Sequence, residues 1–163
     1  MMETPYHRPV LLHESVEGLA IREKGVYVDV TFGGGGHSVE ILKRLGPEGR
    51  LFAFDQDEAA RANRTEDSRF ELISANFRYI RQYLKFYGIL KVDGILGDFG
   101  VSSHQFDQAD RGFSTRFDAE LDMRMNQKEA LSARDLVNTY PEARLREVLF
   151  RYGELKRAGA MAR

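Results

Sequence analysis

Short apolar runs alternate with amphipathic stretches along the first hundred residues of the chain. Four strands are predicted, at residues 26–31, 51–54, 70–73 and 92–98. Between them, apolar residues recur at helical spacing in residues 39–45 and 77–87. Strands that alternate with helices predict an α/β fold built on a mainly parallel sheet.

Polar residues at the expected helix starts predict how several of these helices begin. Ser38 is expected to cap the helix after the first strand, and Asp57 a short helix after the second. Ser132 and Asp135 have the spacing of a capping box, and a further helix is expected at Pro141.

The character of the sequence changes after Asp98. Residues 100–125 are polar, aromatic and charged without sustained periodicity, which predicts a long loop. We therefore expect two parts, a ligand-binding part at residues 1–103 and a second part at residues 104–163 that opens with this loop.

Composition then limits the chemistry. The net charge is −1, so any contact with nucleic acid is expected to be local. The absence of cysteine excludes disulfides and thiolate chemistry, and four scattered histidines disfavour a metal site. No apolar run is long enough to cross a membrane, and Met1–His7 lacks the features of a secretory signal. A cytoplasmic protein without membrane contact is expected.

The glycine run Gly33–Gly36 lies between the first strand and its helix, where a parallel sheet binds ligands. Glycines allow close backbone approach, and Asp55 after the second strand suits the hydroxyls of a ribose. Together they predict an adenosine-type ligand, although a plain turn and a solvated Asp55 remain open. If the ligand is S-adenosylmethionine, Asp29 and Asp98 at strand ends could accept hydrogen bonds from its amino group, and Asp98 is the better candidate.

Two other nucleotide sites fit less well. The dinucleotide fingerprint requires a third glycine where Ser38 stands, which weakens an NAD-binding oxidoreductase domain without excluding it. A phosphate-binding P-loop needs a Gly-Lys-Ser or Gly-Lys-Thr sequence that does not follow these glycines.

An ordered series of motifs resembles the ribosomal small-subunit methyltransferase H family, also called MraW. The matching stretches are residues 9–12 with Glu14, 29–38 (DVTFGGGGHS), 55–57 (DQD), 76–77 (NF), 93–103 (DGILGDFGVSS), 111–114 (RGFS) and 121–125 (LDMRM). Similarity runs from about His7 to Gly153. Phe99 stands where this family usually has leucine.

The resemblance implies a Rossmann-like class I fold and an enzyme that uses S-adenosyl-L-methionine. It implies N4-methylation of a decoding-centre cytidine in 16S ribosomal RNA, with the 30S subunit as partner. By matching positions, the cofactor contacts are Gly35, Gly36, His37, Asp55, Phe77, Asp98 and Gln105. From pattern alone Phe77 is equally a core residue, His37 a helix-start residue and Gln105 a loop residue. No catalytic base is assigned.

A base in structured RNA must be splayed out before an enzyme can reach its edge. We expect RNA contact in the loop after Asp98, which mixes aromatic rings with cations at Phe106, Arg111, Phe113, Arg116, Phe117 and Arg124. A solvated loop is the alternative interpretation of this stretch.

Members of the family are longer and continue through a helical insert domain that serves RNA recognition. The chain is therefore expected to be truncated within that insert, with its fourth strand as an exposed sheet edge through which copies could self-associate. A non-catalytic remnant that binds S-adenosylmethionine or RNA without turnover is the alternative function.

Overall fold

A computed structural model describes residues 9–163 of the chain, which divides into two compact units between Ser102 and Ser103. The structure does not describe residues 1–8, so the prediction that the chain lacks a secretory signal falls outside the described residues. None of the helices in residues 9–163 has the length and apolar character needed to span a membrane. The assignment of the first part to a cofactor and the second to RNA stays a prediction.

The described residues of the first unit form four strands and three α-helices, joined by two 3₁₀ helices. The strands are β1 (Val26–Asp29), β2 (Arg50–Phe54), β3 (Phe70–Ile73) and β4 (Gly94–Leu96). The α-helices are α1 (Leu12–Gly18), α2 (Gly36–Arg44) and α3 (Ile80–Phe86), and the 3₁₀ helices are Glu58–Asn63 and Phe77–Tyr79.

The four strands form one sheet in the order β3-β2-β1-β4, and every neighbouring pair is parallel. Val28 in β1 pairs with Phe52 in β2 and with Ile95 in β4. This sheet confirms the predicted parallel α/β fold. Because the strands run in one direction, their carboxyl ends meet at one edge, where α/β sheets bind ligands.

Apolar side chains alternate between the two faces of the sheet. One face packs with α1 and α2 and buries Val16, Tyr27, Ile41, Leu42, Leu51 and Ala53. The other packs with α3 and buries Val28, Phe52, Phe54, Ile73 and Leu84. The sheet is thus covered on both sides, as the apolar runs of β1 and β2 require.

β4 is shorter than predicted and ends the sheet among the described residues. Asp93 precedes the strand, where its main-chain N–H donates to the Val26 carbonyl at 2.7 Å and its carboxylate accepts the N–H of Val26 at 2.7 Å and forms an ion pair with Arg22. In residues 9–163, β4 pairs with β1 alone, and the side chain of Ile95 is exposed. Self-association across this edge stays a prediction.

The described second unit is helical. It contains α4 (Ser103–Asp107), α5 (Ala133–Thr139), α6 (Glu142–Arg151), α7 (Ala158–Met161) and a 3₁₀ helix at Ala109–Arg111. The predicted loop at residues 100–125 is therefore partly wrong, since helices of one turn are too short to show periodicity. The capping box is confirmed: Ser132 Oγ accepts the N–H of Asp135, and the Asp135 carboxylate accepts the N–H of Ser132, both at 3.1 Å.

Replacing Leu51 with alanine tests the packing of this core. Leu51 is fully buried beneath α2, so Leu51→Ala should lower the free energy of unfolding by about 2–5 kcal/mol. Leu90 is 91% exposed, and Leu90→Ala should change it by less than about 0.5 kcal/mol. Urea titration followed by circular dichroism measures both variants. Equal destabilisation by the two would contradict the described core.

Candidate cofactor site

The glycine run forms the turn between β1 and α2. Gly35 precedes the helix with a left-handed φ of 77°, a conformation that favours glycine. A Cβ atom on Gly35 would lie 3.0 Å from the buried ring of Phe32, and one on Gly36 would collide with the ring of Pro9. The turn therefore requires glycine at both positions and leaves backbone N–H groups at the start of α2.

The carboxylate of Asp29, at the end of β1, is buried and accepts hydrogen bonds from residues on both sides of this turn. Oδ1 accepts the backbone N–H of Thr31 at 3.0 Å, and Oδ2 accepts the Ser38 hydroxyl at 2.8 Å. Two predictions are corrected. Ser38 does not cap α2, because its hydroxyl binds Asp29, and Asp29 offers no exposed acceptor, because both oxygens face protein donors. Burial raises the pKa of Asp29, although the bonds from Ser38 and Thr31 oppose the rise.

Thr31 connects the carboxyl ends of β1 and β4. Its hydroxyl oxygen accepts the backbone N–H of Asp98 at 2.7 Å and lies 3.5 Å from Asp29 Oδ1. These bonds fix the main chain of Asp98, whose side chain is exposed. The Asp98 carboxylate is thus held at the ligand edge of the sheet, where it can accept a hydrogen bond from an amine.

Asp55 follows β2 and binds the glycine run directly. Its Oδ2 accepts the N–H of Gly33 at 2.7 Å, and its Oδ1 accepts the N–H of Asp57 at 2.8 Å. A carboxylate has about four acceptor sites, so both oxygens keep capacity for further donors such as ribose hydroxyls. Burial raises the pKa of Asp55, while the two backbone bonds oppose the rise. Asp57 caps the following 3₁₀ helix, as predicted.

His37 is the second residue of α2 and is almost completely buried. Among the described residues, its Nε2 atom has no hydrogen-bond partner. An unpaired buried polar atom costs about 1–3 kcal/mol, so such atoms are rare in native proteins. An unpaired buried atom beside the glycine turn fits a site that a ligand completes.

Phe77 does not join the core with the rest of its amphipathic pattern. It begins the 3₁₀ helix after β3 and remains 39% exposed. The centroid of its ring lies 5.6 Å from that of Phe99, which follows β4. Partial exposure suits stacking against a base better than core packing does. Sequence reasoning did not identify Phe99 as a site residue, because no local pattern pairs rings at the ends of different strands.

Six of the seven predicted cofactor residues lie in the first unit, at or just beyond the carboxyl ends of its strands. They are Gly35, Gly36, His37, Asp55, Phe77 and Asp98. Gln105 lies in α4 of the second unit, where its buried side chain donates from Nε2 to Met125 Sδ at 3.4 Å. The cofactor role of all seven residues stays a prediction, and sequence reasoning missed the supporting contacts of Thr31.

Three arginines expected to contact RNA are held by contacts inside the second unit. Arg111 is 2% exposed and donates to the main-chain oxygen of Arg124 at 3.0 Å. Arg116 pairs with Asp107 at 2.7 Å, and Arg124 pairs with Asp122 at 2.6 Å. The expectation is wrong for Arg111, because a buried guanidinium cannot reach a phosphate. RNA contact by the remaining loop residues stays a prediction.

The residues of the first unit fit an adenosine-containing cofactor. The glycine turn presents backbone N–H groups, His37 has a buried nitrogen without a partner in the described chain, and Asp55 keeps acceptor capacity. Phe77 adds an exposed ring face. Among residues 9–163, no three His, Asp or Glu side chains are arranged to hold a metal ion.

Asp29→Asn tests whether a buried carboxylate supports the turn. A carboxyl whose pKa rises on folding favours the folded state at low pH, and this contribution is lost as the pH rises from the ordinary value of 3.8 through the raised value. Asparagine has no charge but can still accept from Thr31 and donate to Ser38. The difference in free energy of unfolding should therefore shift in favour of Asp29→Asn as the pH rises. Urea titrations from pH 4 to 8 measure it, and parallel curves would contradict the assignment.

Comparison with known proteins extends the resemblance to nearly the whole chain. Residues 4–163 match the sequence model of the MraW methylase family. The chain is 63% identical over 163 residues to ribosomal RNA small subunit methyltransferase H of Christiangramia forsetii, covering 100% of this chain and 54% of that protein. The protein of the same name from Flavobacterium johnsoniae is 66% identical over 158 residues, covering 97% and 52%. The chain thus spans about half the length of the curated relatives it matches.

A crystal structure from Clostridium thermocellum, described as that of a candidate rRNA methylase, is 27% identical with a TM-score of 0.41. That alignment covers 44% of this chain and 45% of the other. The family match includes the glycine run, Asp55 and the segment around Asp98, which form the edge described above. The chain belongs to the MraW methylase family.

Proposed function

We propose that this chain is the cofactor-binding portion of an S-adenosylmethionine-dependent enzyme that methylates ribosomal RNA. The finer proposal is methylation of the N4 amino group of a decoding-centre cytidine in 16S rRNA, with the 30S subunit as substrate in the cytoplasm. The observation that carries it is the buried Nε2 atom of His37, which lacks a partner in the described chain at the start of α2. Family membership gives the ligand class of this site.

Each residue at the carboxyl edge has a separate task in this proposal. The glycine turn and His37 bind the amino-acid end of the cofactor, and Asp55 accepts the ribose hydroxyls. Phe77 stacks against the adenine, and Phe99 supports the ring of Phe77 from the end of β4. S-adenosylmethionine, when bound, supplies an electrophilic methyl group on a sulfonium. The protein therefore has mainly to hold the amine in line with that methyl group.

Asp98 is proposed as a cofactor contact, and it orients the target amine only if the cofactor leaves its carboxylate free. The amine of cytosine is a weak nucleophile because its lone pair is delocalised into the ring. An exposed carboxylate on a fixed main chain can accept one N–H of this amine and direct its nitrogen. No residue is assigned as a base, because a late proton transfer to Asp98 or to water would satisfy the chemistry equally well.

A binding protein without turnover is the second candidate, and an NAD-binding domain is the third. The NAD candidate is weakened further by Ser38, whose hydroxyl bonds to the buried Asp29 where the dinucleotide fingerprint has its last glycine. Ligand binding distinguishes the methyltransferase from the oxidoreductase, while activity distinguishes the enzyme from a non-catalytic remnant.

Calorimetric titration of S-adenosylmethionine and NAD tests the cofactor. Wild type should bind S-adenosylmethionine selectively, and Asp55→Asn should weaken that binding about 10- to 100-fold, as expected for lost hydrogen bonds to a charged acceptor. Glu48→Gln is the matched control, because it removes the same charge near the opposite end of β2. Equal effects of the two variants, or tighter binding of NAD, would contradict the proposal.

Methyl transfer tests the substrate. The chain is incubated with S-adenosylmethionine carrying a labelled methyl group and with 30S subunits that lack the modification. Label should enter 16S rRNA and appear as N4-methylcytidine after nuclease digestion and mass spectrometry. Asp98→Ala should reduce the rate at saturating cofactor by about 100-fold or more if it orients the amine. Binding of the cofactor without transfer of label would instead favour the non-catalytic candidate.

A further inference from the structure

The connection between β3 and β4 is locally basic. Residues 74–92 contain four cations, Arg78, Arg81, Lys85 and Lys91, and no aspartate or glutamate, and Asp93, the last residue before β4, is paired with Arg22. The rest of the chain holds 20 Lys and Arg residues, which is 24 less these four, against 25 Asp and Glu residues. A chain with a net charge of −1 thus concentrates positive charge around α3.

Helical spacing sorts the side chains of this connection into three stripes. The side chains that pack under the sheet are Ile80, Leu84 and Tyr87. The α3 basic stripe consists of three exposed cations, Arg78, Arg81 and Lys85. The α3 aromatic stripe consists of three exposed rings, Tyr79, Tyr83 and Phe86. Spacings of three, four and seven residues place the members of each stripe on one side of the helix.

The three cations of the α3 basic stripe are among the half of the described cations of the first unit that lack ion pairs. Within residues 9–163, none of its three members has a carboxylate at ion-pair distance. Other cations of the unit are paired: Arg22 with Asp93, Lys24 with Glu48, Lys43 and Arg44 with Glu40, Arg61 with Glu58, and Arg69 with Asp67. The charges of the α3 basic stripe are therefore not compensated by neighbouring acids.

Arg50 and Arg64 extend this positive region. Both lie close enough to Tyr87 for their charges to lower its pKa, although burial and the nearby Glu71 raise the pKa overall. The guanidinium of Arg50 also lies 4.7 Å from the ring centroid of Phe52. Neither arginine forms an ion pair with a described residue. Among the described residues of the first unit, the cations without an ion pair are thus the three of the α3 basic stripe, Arg50 and Arg64 near Tyr87, and Lys91 after α3.

The α3 aromatic stripe gives this region a second chemical character. Phe86 is 82% exposed, and the guanidinium of Arg78 lies 5.4 Å from the ring centroid of Tyr79. Large exposed rings beside uncompensated cations are the combination by which proteins bind single-stranded nucleic acid. The cations contact phosphates, and the rings stack on unpaired bases.

We propose that the outer face of α3 binds single-stranded RNA, with phosphates on the α3 basic stripe and bases on the α3 aromatic stripe. Charge complementarity carries the proposal, and the choice of RNA over other polyanions rests on the proposed function. This surface differs from the loop after Asp98, where Arg111 is buried and Arg116 and Arg124 are paired with acids. The surface also contains none of the predicted cofactor residues.

The salt dependence of RNA binding tests the α3 basic stripe. Fluorescence anisotropy measures the affinity of the chain for a labelled 12-nucleotide oligouridine between 50 and 300 mM salt. Each phosphate contact adds about 0.7 to the slope of log Kd against log salt for single strands. The triple variant Arg78→Gln, Arg81→Gln, Lys85→Gln should therefore lower the slope by about 2 and weaken binding at least tenfold at 100 mM salt.

A second triple variant controls for net charge. Lys24→Gln, Lys43→Gln and Arg61→Gln remove the same three charges from exposed, ion-paired positions, and should change the slope by less than one. Circular dichroism and the thermal midpoint confirm that each variant is folded. Equal slopes in the two triple variants would overturn the proposal.

Two single variants test the α3 aromatic stripe. Tyr79→Leu and Phe86→Leu keep apolar bulk but remove the ring, and each should weaken oligouridine binding about fivefold or more with an unchanged salt slope. A duplex RNA of the same length should be less sensitive to both changes, because its bases are already stacked. Unchanged affinity for oligouridine, or a variant that alters only the oligomeric state in sedimentation, would overturn base contact.

Titration of S-adenosylmethionine distinguishes a failure of this inference from a failure of the proposed function. If wild type binds the cofactor but not oligouridine, the RNA surface is overturned and the cofactor assignment stands. If the α3 variants lose RNA affinity while wild type binds no cofactor, the surface is supported and the proposed function fails.

Discussion

The buried carboxylate of Asp29 is the interaction on which the carboxyl edge of this sheet depends. A buried charge is tolerated only where donors surround it, and here Thr31 and Ser38 supply them. Ser38 ties the first turn of α2 to β1, and the Thr31 hydroxyl ties β1 to the main chain of Asp98. Through these bonds, the Asp29 carboxylate fixes the position of the glycine turn relative to the end of β4. Its raised pKa reflects the cost of keeping that group ionised in the protein interior.

A second carboxylate repeats this arrangement one strand away. Asp55 bonds to Gly33 and Asp57, so the acid proposed for the ribose also shapes the loop beside the ligand. The difference is exposure: Asp55 retains acceptor capacity toward solvent, whereas Asp29 is enclosed. The groups proposed to bind the cofactor are thus already fixed by bonds within the chain, and the Nε2 atom of His37 has no partner among the described residues. Pre-organisation of this kind lowers the cost of binding, because fewer groups must be ordered when the cofactor arrives.

The cations of the chain show why net charge alone does not locate a nucleic-acid surface. Arginine and aromatic residues occur together both after Asp98 and in α3. In the first case Arg111 is enclosed and its neighbours are paired, whereas the α3 basic stripe meets no acid among the described residues. An ion-paired cation must give up its partner before it can bind a phosphate, so the two segments differ in what they offer RNA. Local composition separates the two segments, because residues 74–92 contain no acid whereas the loop after Asp98 contains several, and the structure shows acids of that loop paired with Arg116 and Arg124.

The sequence by itself determined what depends on neighbours along the chain. The strands, the glycine turn, the Asp57 cap and the Ser132–Asp135 capping box all follow from local spacing and backbone preference, and the alternation of elements gave a parallel sheet. The tertiary structure decided what depends on residues that meet through space. The Ser38 hydroxyl bonds to the buried Asp29 carboxylate and does not cap its own helix. Phe77 packs against Phe99, which follows a different strand, and Arg111 is buried. A side chain takes the partner that desolvation and geometry leave available, and that partner is set only when the whole chain has folded.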